Sequence, residues 1–260
     1  MGYQTGVVEA LKDHGLTVGY VPGWETRGSS SFNPKGHVIH HDAGSHWSTP
    51  PGILISGRSD LPGPLCNFAL DSDGKVWMVA SGRANHAGTG SWRGLVGNSS
   101  VWGTEANNAG TGEEWPDVQI DAYARLCAAT CDYSGFTAEY VCRHAEWAPT
   151  RKIDPAGPWA DGHDWSRDMS HFRALVAQGG TDLPLNDADL FSIGVIVKRS
   201  LDDADVATGA DLDAVKAEVR ADRRMTLDLV EAISAEAGVD PAKVRARLKP
   251  ETRAALDKVD

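Results

Sequence analysis

Cysteine is scarce in this chain. Four residues in 260, Cys66, Cys127, Cys131 and Cys142, are too few and too scattered to staple a fold of this size, which excludes a disulfide scaffold. Cys127 and Cys131 lie four apart on a segment of helical character, so both can face a core as buried thiols, and soft partners for a second metal site are missing. Positive charge is also in deficit: 25 Lys and Arg against 36 Asp and Glu leave a net charge of -11, which argues against a nucleic-acid partner and against an anionic membrane surface. No apolar run is long enough to cross a bilayer, and Met1 to Gly6 has neither the basic start nor the apolar core of an export signal. The expectation is a protein held in a cytoplasm, without membrane insertion, until something else releases it. At 41% hydrophobic, the composition suits one enzyme-sized core plus a smaller appendage.

What the chain does have is concentrated in Arg143-His144-Ala145-Glu146-Trp147-Ala148-Pro149-Thr150-Arg151-Lys152-Ile153-Asp154-Pro155. Two prolines prevent a continuous helix, so the segment reads as a shaped loop that carries an imidazole, a lysine and a carboxylate. His144 and Asp154 alone do not make a zinc site, because catalytic zinc usually takes three protein ligands and leaves a fourth position for water. The best third donor lies in Val38-Ile39-His40-His41-Asp42-Ala43-Gly44, an apolar run that reads as a buried strand ending in two histidines. Alternate residues of a strand share a face, so His40 sides with Val38 and His41 points the other way. Only one of the two can easily join the metal. His37, at the start of the strand, reads as solvated.

A strand ending in His-His-x-Ala-Gly, followed about a hundred residues later by His-x-Glu-Trp-Ala-Pro-x-Arg-Lys-x-Asp-Pro, resembles the zinc-dependent N-acetylmuramoyl-L-alanine amidases. That family includes phage endolysins, bacterial cell-wall amidases and peptidoglycan recognition proteins, and the resemblance covers residues 36 to 178. It implies Zn2+ held by His40, His144 and Asp154, with His41 left as a packed or supporting histidine. Arg83-Ala84-Asn85-His86-Ala87-Gly88 is similar to the family's motif at the groove rim, and the resemblance implies substrate contacts for His86 and Asn67. Asn98 to Glu105 looks like the family's Asn-x-x-Ser-Ile-Gly-Ile-Glu strand, with Trp102 and Thr104 in place of aliphatics. The implied catalytic groups are Glu105, as proton carrier, and Lys152, as oxyanion stabiliser.

The elements around these motifs alternate. Residues 3 to 14 read as a helix with Val7, Val8 and Leu11 on one side, ended by Gly15. Leu16 to Val21 reads as a strand, and 50 to 57 as a short helix begun by Pro50-Pro51. Asn67 to Leu70 and Lys75 to Ala80 form a hairpin through Asp71-Ser72-Asp73-Gly74, and 89 to 98 is glycine-rich and mobile in character. Pro116 to Cys131 is a helix whose core face holds Val118, Ile120, Tyr123, Leu126 and Cys127. Glu139 to Cys142 is the strand that delivers His144, and Ser166 to Gln178 is a last helix before Gly179-Gly180. The fold class is therefore α/β, and the resemblance implies a central mixed sheet flanked by helices, a zinc cleft on one face and a C-terminal helical appendage.

The division expected is an N-terminal extension over 1–35 packed on the catalytic domain, that domain over 36–180, a linker over 181–210 and a helical region over 211–260. Leu212, Val215, Val219, Leu229 and Ile233 approach heptad spacing, interrupted by Asp222 and Thr226, which is a weak coiled-coil pattern. The region is too small for an independent core and serves either self-association or wall targeting. The partner implied is bacterial peptidoglycan, cleaved between N-acetylmuramic acid and the L-alanine of the stem peptide, and the flank Glu146 to Lys152 looks most like phage endolysins of actinobacterial hosts. Two readings compete: a peptidoglycan-binding protein without hydrolysis, and a cytoplasmic amidase that recycles muropeptides.

Overall fold

The computed structural model describes residues 2–180; the linker and helical region expected over 181–260 lie outside the described residues. Six strands form one mixed sheet: β1 (Val18–Tyr20), β2 (His37–His41), β5 (Phe68–Leu70), β6 (Val76–Met78), β9 (Trp102–Ala106) and β10 (Val141–Arg143). Two minor hairpins complete the numbering, β3 (Gly57–Arg58) with β4 (Leu61–Pro62), and β7 (Ser91–Trp92) with β8 (Leu95–Val96). The spatial order is β1-β6-β5-β9-β2-β10, and every pairing is parallel except the β5–β6 hairpin. Gly74, at a φ of +83°, turns that hairpin, and the Asp71 carboxylate accepts the Asp73 and Lys75 amides inside it.

Helices α1 (Val7–Asp13), α2 (Gly52–Ser56), α3 (Asp117–Ser134), α4 (His144–Trp147) and α5 (Met169–Gln178) surround the sheet. The main core joins Val7, Val8 and Leu11 of α1, the apolar side of α3, Phe172 and Val176 of α5, and Ile39, Phe68, Leu70, Trp102 and Val141 of the sheet. Pro116 opens α3 and Gly135, at a φ of +67°, closes it, the places where a residue lacking an amide donor and one tolerating a left-handed conformation fit best. All four cysteines are buried free thiols.

Several expectations change in detail. Val118 is 42% exposed, because the core face of α3 begins two residues later at Ile120. The glycine-rich 89–98 segment forms the β7–β8 hairpin, turned by Arg93 and Gly94 at positive φ. The loop beginning at Arg143 opens with a helical turn, α4, ahead of Pro149. Glu139 falls in a 3-10 turn rather than in β10.

His37 is fully buried, not solvated. The period of two turns it toward α3, where its Nδ1 meets Thr130 Oγ1 at 2.9 Å and its Nε2 meets Thr104 Oγ1 at 2.8 Å. Thr130 spends its own proton on the Cys127 carbonyl, so it accepts from Nδ1 and Thr104 donates to Nε2. Burial pushes the imidazole pKa down to about 3, and the ring is neutral at pH 7. Two hydroxyls thus satisfy a polar group that would otherwise be costly to enclose.

Tyr123 of α3 performs a similar service one turn of strand further on. Its hydroxyl accepts the His40 amide at 2.8 Å and lies 3.0 and 2.9 Å from the His40 and Thr104 carbonyls. Tyr123→Phe would leave that buried amide without this acceptor, at a cost of about 1–3 kcal/mol. Equilibrium urea denaturation checks this; a loss within about 0.5 kcal/mol, the level of an ordinary surface change, would contradict it.

Candidate functional site

The site gathers where three adjacent parallel strands end. In β2–β9 the register sets His40 opposite Glu105, and in β10–β2 it sets Arg143 opposite Ile39, so His144 follows at the same end of the sheet. Crevices beyond the carboxyl ends of parallel strands are where open α/β sheets usually bind ligands. The α4 turn that starts at His144 is held by Glu146, whose carboxylate accepts the Arg143 amide at 3.0 Å and pairs with Arg173 of α5 through two bonds of 3.1 and 3.2 Å. Asp154 returns to the same point because its carbonyl accepts the Ala145 amide at 2.9 Å.

Three donor atoms converge there. His40 Nδ1 lies 2.9 Å from His144 Nδ1 and 3.1 Å from Asp154 Oδ2, and His144 Nδ1 lies 3.0 Å from the same oxygen. A tetrahedral ion with bonds of about 2.0–2.1 Å sets its ligands about 3.3 Å apart, close to this triangle. His144 Nε2 faces the Ala87 carbonyl at 2.9 Å. A carbonyl only accepts, so the proton of neutral His144 sits on Nε2 and Nδ1 presents a lone pair. Burial, and then the neighbouring His144 ring, lower the His40 pKa to about 4, which leaves His40 neutral at pH 7. Burial alone would raise the Asp154 pKa, but the His144 and His40 rings beside it hold it well below the ordinary carboxylate range. Two imidazole nitrogens and an ionised carboxylate are a donor set suited to zinc and similar divalent ions, and His40, His144 and Asp154 together can hold a metal ion.

A second group, Asp161, His163 and His171, also brings donors within 4.8 Å of one another. Its imidazoles lie face to face, 4.0 Å between centroids and 3° between planes. Lone pairs lie in the ring planes, so in this pose they do not converge on one ion. The buried triangle is the better site.

Glu105 Oε1 is 3.9 Å from His40 Nδ1, and its side chain is 15% exposed. Burial raises its carboxyl pKa well above the usual range, the Asp154 and Asp42 charges add to this, and the Lys152 charge opposes it. Lys152 is only partly buried, and Ile153 beside it is 71% exposed. The donors are therefore enclosed on the sheet side, while Glu105 and Lys152 mark the side open to solvent.

The other residues singled out from sequence fall elsewhere. Asn67 is fully buried; its amide nitrogen donates to the Ala80 and Gly82 carbonyls and its oxygen accepts the Gly103 amide. All of that bonding goes to backbone, which leaves nothing for a substrate. His86 is also buried and stands behind His40, with its Nδ1 3.1 Å from His40 Nε2. Burial, and then the His40 ring, push its pKa well below the ordinary value. The expected groove-rim position does not hold for His86. His41 is half-buried on the opposite face, where its Nδ1 accepts the Ala156 amide at 3.3 Å. Tyr123 and Ala87, which serve the site through a hydroxyl and a backbone carbonyl, had no signal in the pattern of titratable residues.

A metal ion that binds only the folded chain stabilises it by about 2.7 kcal/mol at a hundredfold excess over its Kd. With Zn2+ as the probe, the melting temperature should rise and a chelator should reverse the rise, while Asp154→Ala should abolish it. An unchanged melting temperature in the wild-type chain would contradict the site.

Residues 30–157 match the Amidase_2 family model, described as N-acetylmuramoyl-L-alanine amidase. No curated protein matches the chain. Among solved structures, the chain is similar to an endolysin, the N-acetylmuramoyl-L-alanine amidase LysCS from Clostridium intestinale URNW, at 18% identity over 61% of this chain and 93% of that one, with a TM-score of 0.44. It is similar to a selenomethionine derivative of AmpD at 25% identity over 62% and 94%, with a TM-score of 0.43. It also matches the E. coli N-acetylmuramyl-L-alanine amidase AmiD, in complex with an anhydro-N-acetylmuramic acid peptide, at 20% identity over 90% and 91%, with a TM-score of 0.41. The matched segment, residues 30–157, includes His40, Glu105, His144, Lys152 and Asp154.

Proposed function

We propose that this chain is a zinc-dependent amidase that hydrolyses the bond between N-acetylmuramic acid and the L-alanine of the peptidoglycan stem peptide. The observation that carries the reading is the triangle of His40, His144 and Asp154 with Glu105 in register beside it, inside the segment that matches the amidase family model. Zinc held by His40, His144 and Asp154 would supply a water of lowered pKa and a positive charge for the amide carbonyl oxygen. Glu105, its pKa raised by burial, takes the proton of the attacking water and passes it to the leaving amine nitrogen. Lys152, whose charge acts on both His40 and Glu105, would place its ammonium where negative charge develops on the carbonyl oxygen. The buried donors and the half-open Glu105–Lys152 side would let the amide enter while limiting competing water.

Within this reading the role is that of a phage endolysin acting in host lysis. The flank Glu146-Trp147-Ala148-Pro149-Thr150-Arg151-Lys152, similar to that of actinobacteriophage lysins, favours it over muropeptide recycling. Retention of all three donors favours catalysis over peptidoglycan binding alone.

Purified peptidoglycan should release the L-alanine amine on incubation with the zinc-loaded chain. Glu105→Gln should reduce turnover by about 10²–10⁴-fold and Lys152→Ala by about 10²–10³-fold, each with zinc still bound. Near-full turnover in either variant would remove that residue from its role. Cleavage of soluble muropeptides with intact walls untouched would favour recycling, and wall binding without amine release would favour the binding protein.

A further inference from the structure

We propose that the His86–Ala87 segment sets the tautomers of both metal-binding imidazoles, with His86 as a positioning residue for His40; this rests on the zinc-site reading above. The direction of each hydrogen bond follows from two carbonyls. His86 Nε2 faces the Val101 carbonyl at 3.3 Å, and a carbonyl can only accept, so the proton of neutral His86 is on Nε2. Its Nδ1 is then an acceptor, and the atom it meets, at 3.1 Å, is His40 Nε2. His40 must place its proton there, which leaves its Nδ1 bare and facing His144 and Asp154. Ala87 does the same for His144 with a backbone carbonyl at 2.9 Å from Nε2. Two consecutive residues thereby turn both Nδ1 lone pairs toward one point.

The fold holds this pair of residues in place from three sides. Asn98 Oδ1 accepts both the His86 amide, at 3.1 Å, and the Ala87 amide, at 2.8 Å. Arg151 donates to the Ala87 carbonyl at 3.0 Å and to the Thr89 carbonyl at 2.7 Å. Strand β9 makes room for the ring at Gly103, where a Cβ would come within 2.3 Å of the imidazole. A ring packed edge-on to His40, at 5.2 Å between centroids and 88° between planes, is built to orient that histidine rather than to meet a substrate.

The test uses the full chain and two readouts. Long-range proton–nitrogen NMR of the histidine side chains, without added metal, should show His40 and His144 protonated on Nε2. A proton resident on His40 Nδ1 in the wild-type chain would overturn the proposal without any variant. His86→Leu, of similar bulk, should weaken Zn2+ affinity, measured by competition with a chelator, by about 10–100-fold. His86→Asn retains an acceptor near the position of Nδ1 and should recover most of that loss. Wild-type affinity in a folded His86→Leu chain would also overturn it. If the wild-type chain itself bound no zinc, the metal reading would fail, and the tautomer measurement would still decide this inference.

Discussion

Three lone pairs held about 3 Å apart with no proton between them are the constraint on which the remaining structure depends. Lone pairs that close repel, and burying an ionised carboxylate among neutral rings is costly. A divalent cation offsets both, since it is the one species that can accept from all three at once. The scaffold keeps the donors converged through restraints on backbone rather than on the donors alone. Tyr123 fixes the strand at His40, the Glu146–Arg173 pair fixes the turn at His144, and the Ala145 amide fixes the return of the chain at Asp154. Removing any one would loosen the triangle without touching a donor.

The same arrangement separates chemistry from support along the strand. On β2 and β9 the site face carries His40 and Glu105, whereas the helix face carries His37 and Thr104. A neutral His37 between two threonines serves α3 packing, and an imidazole three residues later serves the ion. The period of two makes both uses possible within one five-residue strand.

Most of the ligand geometry was legible because it depends on local rules. Alternation on a strand let only one of His40 and His41 join the metal, the family resemblance pointed to His40, and the prolines at 149 and 155 marked a shaped loop that carries both His144 and Asp154. What was not legible depends on partners distant in sequence. His37 looked solvated because its acceptor and donor, Thr130 and Thr104, lie on elements that only the fold brings near. His86 looked like a rim residue because nothing in its own segment shows that Val101 and Gly103 enclose it. Asn67 likewise spends its amide on carbonyls 13 and 15 residues away. Val118 fits the apolar pattern of α3 but lies at the end of the helix that overhangs the core.

The central claim, that these three side chains form one metal centre, is tested most directly by zinc K-edge X-ray absorption on the full chain loaded with one equivalent of zinc. The account predicts two imidazole nitrogens and light oxygen donors at about 2.0–2.2 Å, with one imidazole lost in His144→Ala. A shell containing sulfur at about 2.3 Å, or a spectrum unchanged by His144→Ala, would place the ion elsewhere and contradict it.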